Sequence, residues 1–247
     1  MPGQQNIIPD DWLSEILARR VYRLVPDDEF VKKARNSASA EHARLRRLMD
    51  SKPVFFYARV ALEAIDAITF LEEQGFHLIE TNVSLERPSA PPPSVSRDCD
   101  VRFAEAEDEA QTVELGRKAF RFARFHLDSH FSTAMADRIK AEWVRNYFKG
   151  KRGEYMVVAV KDGRVTGFLQ LLQNPDGVLT IDLIGVDQRY RRQGIARNMI
   201  AFAMTHCPHS TMTVGTQMVN IASIRLYEEM GFRMDSARYV FHFHNDL

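Results

Sequence analysis

The sequence predicts an α/β (α+β) fold: a mixed, mostly antiparallel twisted sheet with flanking helices, preceded by a smaller α/β domain. Three observations carry this. Two apolar β-hairpin patterns have turns containing Asp-Gly, strands alternate with helices of 3.6-residue period after them, and a proline-rich break falls at 88–97.

Before the break, Val54–Val60 reads as a strand and Phe76–Leu85 as another. Between them Ala61–Gln74 has the period of a helix with Leu62, Ile65, Ile68 and Leu71 inward. The break runs from Arg87 to Ser96 and sets four prolines among small polar residues. Proline supplies no ladder donor, so 88–97 is expected to be a semi-extended linker between domains at 1–87 and 98–247. Val101–Ala104 then alternates as a short strand, and an acidic stretch opens a helix through Val113, Leu115 and Phe120. A second helix from about Ala134 to Phe148 places Ile139, Trp143, Val144 and Tyr147 on one face. Tyr155–Val160 and Val165–Leu172 flank the turn Lys161-Asp-Gly-Arg164, and Asn174-Pro-Asp-Gly177 turns into Leu179–Val186. An Arg/Gln/Gly loop leads to a helix from Ile195 to about His206. A strand at Thr211–Thr216, a helix from Asn220 to Met230 and a strand at Tyr239–Phe243 complete the pattern.

One internal echo stands out. Phe70-Leu-Glu-Glu-Gln-Gly-Phe76 parallels Leu226-Tyr-Glu-Glu-Met-Gly-Phe232, each between β-rich stretches. Two readings are open: a common helix end with glycine and then an apolar residue, or a degenerate half-copy of the second domain's β-α-β unit. In a half-copy, Ala64 stands where Asn220 does and Leu71 where Tyr227 does, so the N-terminal unit is expected to be structural.

Composition excludes several classes. The 247 residues hold 33 Lys+Arg against 33 Asp+Glu, with 45% hydrophobic and 27% charged residues, so the chain is no disordered polymer. Zero formal charge gives no reason to expect nucleic acid or a membrane surface as partner. Stretches such as VFFYARVAL are too short to span a bilayer, and MPGQQNIIPDDWL lacks the basic-then-apolar order of a secretion signal. Two cysteines, Cys99 and Cys207, make no disulfide framework and are expected as free thiols. A cytoplasmic protein is the expectation.

The segment from Ile181 to Arg197 carries the chemistry. A strand ends at Val186, and a loop dense in arginine reaches Gly194 before a helix begins. A helix N-terminus offers unpaired N–H groups and a positive dipole end, which favour an anion. Gly194 and Ala196 let a phosphate approach the main chain, and Arg191, Arg192 and Arg197 add charge. The spacing is not that of the Rossmann or Walker loops. A plain strand–helix connection with a solvated basic face would give the same residues.

Arg191-x-x-Gly194-x-Ala196 after a strand resembles the acyl-CoA signature of the GNAT acetyltransferase superfamily, [R/Q]-x-x-G-x-[G/A]. Asn220-Ile-Ala-Ser-Ile-Arg-Leu-Tyr227-Glu-Glu-Met-Gly-Phe232 is similar to that family's Asn-x-x-[AS]-x-x-[LF]-Tyr-x-x-x-Gly-Phe segment. The resemblance covers about 100–247. A narrower one rests on Ala119–Phe131, the Trp143 helix and Thr216-Gln217-Met218, which look like the TDP-fucosamine acetyltransferase group. Those enzymes acylate the amine of a nucleotide-linked amino-dideoxy sugar.

The resemblance implies that acetyl-CoA or another short acyl-CoA is the donor. By the same likeness, its pantetheine lies between the strand of Ile184, Gly185 and Val186 and the strand of Thr213–Thr216. Backbone N–H groups of Arg192, Gln193, Gly194, Ile195 and Ala196 would cradle the pyrophosphate, with Arg191 and Arg197 beside them. Asn220 would bond CoA, although Asn is also a common N-cap. Tyr227, at i+7 from Asn220, shares its face and is the implied general acid for the departing thiolate. Asp182 is the candidate base, rivalled by His126, Asp128 and His130. Arg121, Arg124, Phe125, His126, Asp128 and Gln217 are the expected substrate-binding residues, with Phe122 or Phe125 stacking on the nucleobase. The implied acceptor is a nucleotide sugar, dTDP-linked, attacking directly in a ternary complex, since neither cysteine is placed as a nucleophile. A peptide amine as acceptor and a non-catalytic acyl-CoA-binding module are the alternatives, and the choice of monomer or homodimer is open. No metal is expected: His242 and His244 alternate on a strand with no Cys/His cluster near them in sequence.

Overall fold

The computed structural model describes residues 6–95 and 99–246. In chain order its elements are β1 (Ile7–Pro9), α1 (Asp11–Leu17), β2 (Arg20–Leu24), α2 (Asp28–Arg35), α3 (Ala40–Met49), β3 (Val54–Ala61), α4 (Ile65–Glu73) and β4 (His77–Pro88). There follow β5 (Asp100–Phe103), α5 (Glu109–Ala119), α6 (Arg124–Leu127), α7 (Thr133–Phe148), β6 (Tyr155–Lys161), β7 (Arg164–Gln173) and β8 (Val178–Val186). The last are α8 (Ile195–His206), β9 (Thr211–Gln217), α9 (Ile221–Glu229) and β10 (Arg233–Asn245). They fall into two compact units, neither of them one continuous stretch: Met1–Asn82 with Leu127–His130 and Ala237–Leu247, and Val83–His126 with Phe131–Ser236.

The first unit has the strand order β1-β2-β3-β10. Its helices start where the sequence offers a cap: Asp10, Asp27 and Ser39 accept from the N–H groups of Leu13, Phe30 and His42 at 2.8–3.0 Å. The core gathers Leu24, Phe30, Phe56, Phe70, Phe76 and Phe241. β10 runs antiparallel to β3 from Arg238↔Ala61 to Asn245↔Val54, which buries Val240 and Phe241. The β10 strand is longer than the expected 239–243.

The helix expected over 61–74 begins only at Ile65. Ala61 is still paired in β3, and Leu62 and Ile65 are 37% and 63% exposed. Ala67, Phe70 and Leu71 form the buried face instead. A run of apolar residues at the strand–helix junction imitated a longer helical stripe.

The second unit has the order β9-β8-β7-β6-β5, antiparallel except for β8 and β9. Helices α5 and α7 pack Val113, Leu115, Ala141 and Val144 onto Met156, Val158, Phe168 and Leu183 of the strands. Both hairpin turns fall at the expected Asp-Gly positions. After β4, residues 89–95 have no regular structure but are tied down: the Arg87 guanidinium donates to the carbonyls of Ala90 and Pro91, and the Ser89 N–H donates to that of Ser210. The rest of the expected linker, from Ser96, and residue 98, where the second domain was expected to begin, lie outside the described residues.

The internal echo has a matching local geometry. α4 and α9 each span nine residues; Ala64 and Asn220 precede them at φ −78°, ψ 62° and φ −87°, ψ 62°, and Gly75 and Gly231 follow at φ 82° and 89°.

Candidate active site

The second unit opens its own sheet beside β8. The parallel ladder between β8 and β9 runs from Val178↔Thr211 to Ile181↔Val214 and stops there, although β8 continues to Val186 and β9 to Gln217. Over the same stretch the other edge of β8 stays paired with β7 as far as Gly167↔Val186. Main-chain groups of Ile184, Gly185 and Val186 that face β9 therefore have no ladder partner; apart from the Val186 carbonyl, which accepts from Arg191 Nε, they form an edge that an extended amide-bearing arm would fill.

A bulge marks where the strands part. Pairing passes from Gln170↔Leu183 to Leu171↔Ile181, so Asp182 is the extra residue and its side chain is re-aimed. Its carboxylate receives Arg152 through two bonds of 2.7 Å, the Trp143 indole N–H at 2.8 Å and Gln170 Nε2 at 3.3 Å. The side chain is 8% exposed. Four donors hold this carboxylate in place, and through it anchor β8 to α7 and to the loop after it. Arg152 also lies over the Trp143 ring at 4.9 Å, and Lys140 Nζ is 4.7 Å from the Trp143 and Phe120 rings. Sequence reading missed Arg152, Gln170 and Lys140. Arg152 sits in a Gly-Lys-Arg-Gly turn with no pattern to single it out, and a bulge leaves no periodic trace.

At the end of β8 the Asp187 carboxylate accepts from the Arg189 N–H and shapes a 3-10 turn over Gln188–Tyr190. Arg192 and Gly194 are both left-handed, at φ 62° and 75°, and α8 starts directly after them. The first bond into the helix is Asn198 N–H to Gly194 C=O, so the N–H groups of Ile195, Ala196 and Arg197 have no intrahelical acceptor. Arg191 turns back to donate to the carbonyls of Val186 and Ala119, bracing the loop. Arg197 pairs with Glu229 of α9, and Arg192 and Gln193 are exposed. Close packing needs the glycine before this loop: a Cβ on Gly185 would stand 2.6 Å from the Phe168 ring and 2.9 Å from the Ala119 Cβ.

Asn220 caps α9, its Oδ1 accepting from the Ser223 N–H while its Nδ2 donates to Thr216. Gln217 ends β9 and its carbonyl accepts from the Asn220 N–H. Tyr227 follows on the same face, 2% exposed against Phe232. Burial pushes its phenol well above the ordinary value, so it stays protonated.

The expected substrate wall separates into groups. Arg121 and His126 line a cleft of about 1160 Å³ with Lys118, Phe120, Arg164 and Asp187, and His126 Nε2 is 3.0 Å from Asp137. Arg124 and Phe125 are buried, the guanidinium over the Phe125 ring at 4.5 Å and that ring edge-on to Phe131. Phe125 is thus a core residue with no face for a nucleobase, and Phe122 is the exposed aromatic. Asp128 and His130 belong to the first unit, where they meet His242 and His244. No cluster neighbours those histidines in sequence; the fold supplies one.

The profile of the acetyltransferase (GNAT) family matches residues 117–232, the stretch that holds the parted strands, the α8 N-terminus and α9. This is a GNAT acetyltransferase domain. The chain is 31% identical over 192 residues to the spore coat polysaccharide biosynthesis protein SpsD of Bacillus subtilis, covering 76% of this chain and 66% of that protein, just under two thirds of its length. Human N-acetylaspartate synthetase is 33% identical over 115 residues, 44% of this chain and 36% of its own. Among solved structures, a tandem GNAT protein from the clavulanic acid biosynthesis pathway superposes at TM-score 0.59, with 13% identity, over 91% of this chain and 75% of that one. A GCN5-related N-acetyltransferase from Kribbella flavida superposes at 0.60, with 14% identity, over 90% and 80%. Both show likeness of fold. No helix among the described residues of this GNAT-bearing chain is long and apolar enough to cross a membrane.

Proposed function

We propose that the chain is an N-acyltransferase that moves an acetyl or other short acyl group from acyl-CoA to the amine of a nucleotide-linked, dTDP-type amino-dideoxy sugar. The observation that carries the acyl-CoA half is the ladder that stops at Ile181↔Val214 while β8 runs on toward a helix whose first N–H groups have no intrahelical acceptor. Pantetheine amides pair with the vacant edge at Ile184–Val186, and the N–H groups after Gly194 hold the pyrophosphate. The sugar half rests on the polysaccharide-biosynthesis relative and on Arg121 and His126 in the cleft.

The sugar amine attacks the thioester carbonyl, an N–H of the vacant edge of β8 donates to the developing oxyanion, and Tyr227 donates to the sulfur as it leaves. A buried phenol suits that step, because a thiolate forming in the same dry pocket is a stronger base than in water. Asp182 acts as a positioning residue, its oxygens already held by Arg152, Trp143 and Gln170. An amine next to electron-withdrawing sugar oxygens is weakly basic, so water can carry its proton away.

The N-acetylaspartate synthetases favour a second reading, a free amino acid as acceptor. One experiment separates the two: thiol release from acetyl-CoA and a longer acyl-CoA with TDP- and UDP-linked amino sugars, L-aspartate and a peptide amine. Turnover confined to one nucleotide sugar supports the proposal, and turnover with aspartate replaces it by the second reading. Silence on every acceptor, with CoA binding intact by calorimetry, sinks both and leaves an acyl-CoA-binding module.

A further inference from the structure

We propose that the first unit holds a divalent transition-metal site of the zinc class, built by Asp128, His130 and His244, with His242 supporting the carboxylate from behind. The donors come from two segments far apart in sequence. His242 and His244 alternate along β10, which turns both to one face of the strand, and Asp128 and His130 meet them there. One donor atom each from Asp128, His130 and His244 lies within 4.8 Å of the others. A tetrahedral zinc ion with bonds of about 2.0–2.2 Å needs nitrogen and oxygen donors roughly 3.3 Å apart, so the widest separation has to shorten by at most about 1.5 Å, a distance that a turn of the exposed His130 ring can supply.

The details supply an ion with ligands, a support for them and a way in. His244 Nε2 is 2.7 Å from Asp128 Oδ2 and His130 Nδ1 is 3.1 Å from Oδ1, so two imidazoles present a nitrogen to one carboxylate. Their rings stack at 4.1 Å and 6°. The His130 side chain is 47% exposed, so it is the ring that tilts to aim its lone pair at the ion and leaves a way in for it. His242, fully buried, sets its Nδ1 2.6 Å from Asp128 Oδ2, the place of an outer partner that orients a ligating carboxylate. Phe55 fixes both inner rings, stacked on His244 and edge-on to His242, each at 4.8 Å.

Charge gives the second argument. The Asp128 side chain is 2% exposed, and its ion-pair partners among the described residues are these three histidines, with no Lys or Arg. A buried carboxylate needs a positive partner. A divalent ion on the His130 side supplies one, with water completing the coordination. Nitrogen and carboxylate donors in this number suit zinc and its first-row neighbours rather than magnesium or calcium.

The test uses the whole chain, stripped with a chelator and titrated with zinc alone by calorimetry, then with cobalt(II) in a spectrophotometer. One-to-one saturable binding is expected, with the visible absorption of a tetrahedral nitrogen/oxygen site. His130→Ala removes an exposed ring and leaves the Asp128 contacts to His242 and His244 in place, so it keeps the fold, checked by circular dichroism. It is expected to weaken zinc at least tenfold and to abolish the cobalt spectrum. Absence of saturable zinc binding in the parent chain overturns the proposal, as does equal affinity in His130→Ala, which would place the ion elsewhere.

Discussion

Tyr227 and Asn220 sit on one helix face and divide their work differently. Tyr227 contributes a phenol whose burial keeps its proton. Replacing it by Phe removes one hydroxyl from a packed ring, so the fold and the affinity for CoA are expected to hold while kcat falls by about 100-fold or more. The raised pKa also fixes a sign. A raised acid stays protonated as pH climbs, so kcat is expected to show no loss up to pH ~10, where an ordinary phenol is half ionised. A rate that declines from pH 9 would assign the proton to another group. Asn220→Ala is expected to cost about 1 kcal/mol by urea unfolding through the lost cap. A rise in the KM for acyl-CoA in the same variant would add the CoA contact to the cap. These two residues were legible because their types and spacing form a motif. Asp182 was legible as a polar residue in an apolar strand, but not as the hub that Arg152, Trp143 and Gln170 make of it, since those partners lie 12–39 residues away.

At the scale of elements, β8 is the part on which the rest turns. Its bulge, its parted edge and its close approach to α5 occupy nine residues. Gly185 permits that approach, so Gly185→Ala is expected to destabilise the second unit by about 1–3 kcal/mol, read as a lower urea midpoint. Unchanged stability would mean that Phe168 and Ala119 give way at little cost. Strands, hairpin turns and the start of α8 could be read from apolar runs and Asp-Gly or Gly signals, because those features are local. The vacant edge could not: where a ladder ends depends on the paths of two strands, and neither sequence records the other's. Arg124 and Phe125 show the complementary limit. A Phe/Arg alternation reads the same whether the rings face a ligand or a core.

At the scale of the whole molecule, the compact units do not follow the proline-rich segment. Residues 237–246 are β3's partner for eight positions and contribute Val240 and Phe241 to the first unit's interior. A fragment of residues 1–87 is therefore expected to be largely unfolded by circular dichroism. Adding a peptide of residues 233–247 is expected to restore part of its strand signal. A fragment 1–87 that folds cooperatively alone would make the proline-rich segment a true domain boundary. Composition marked the prolines plainly, but it is blind to which strand a distant segment joins.

That arrangement also sets an order in time. Val54 pairs with Asn245, 191 residues later, so the first unit's sheet must wait for residues made long after its own helices. The second unit's strands, with shorter loops to close, have their partners sooner. On a ribosome the first unit is thus completed after the second, holding Phe55 and Phe56 with β2 on one side but nothing on the other until β10 has been made. It is the stretch most in need of a chaperone's cover.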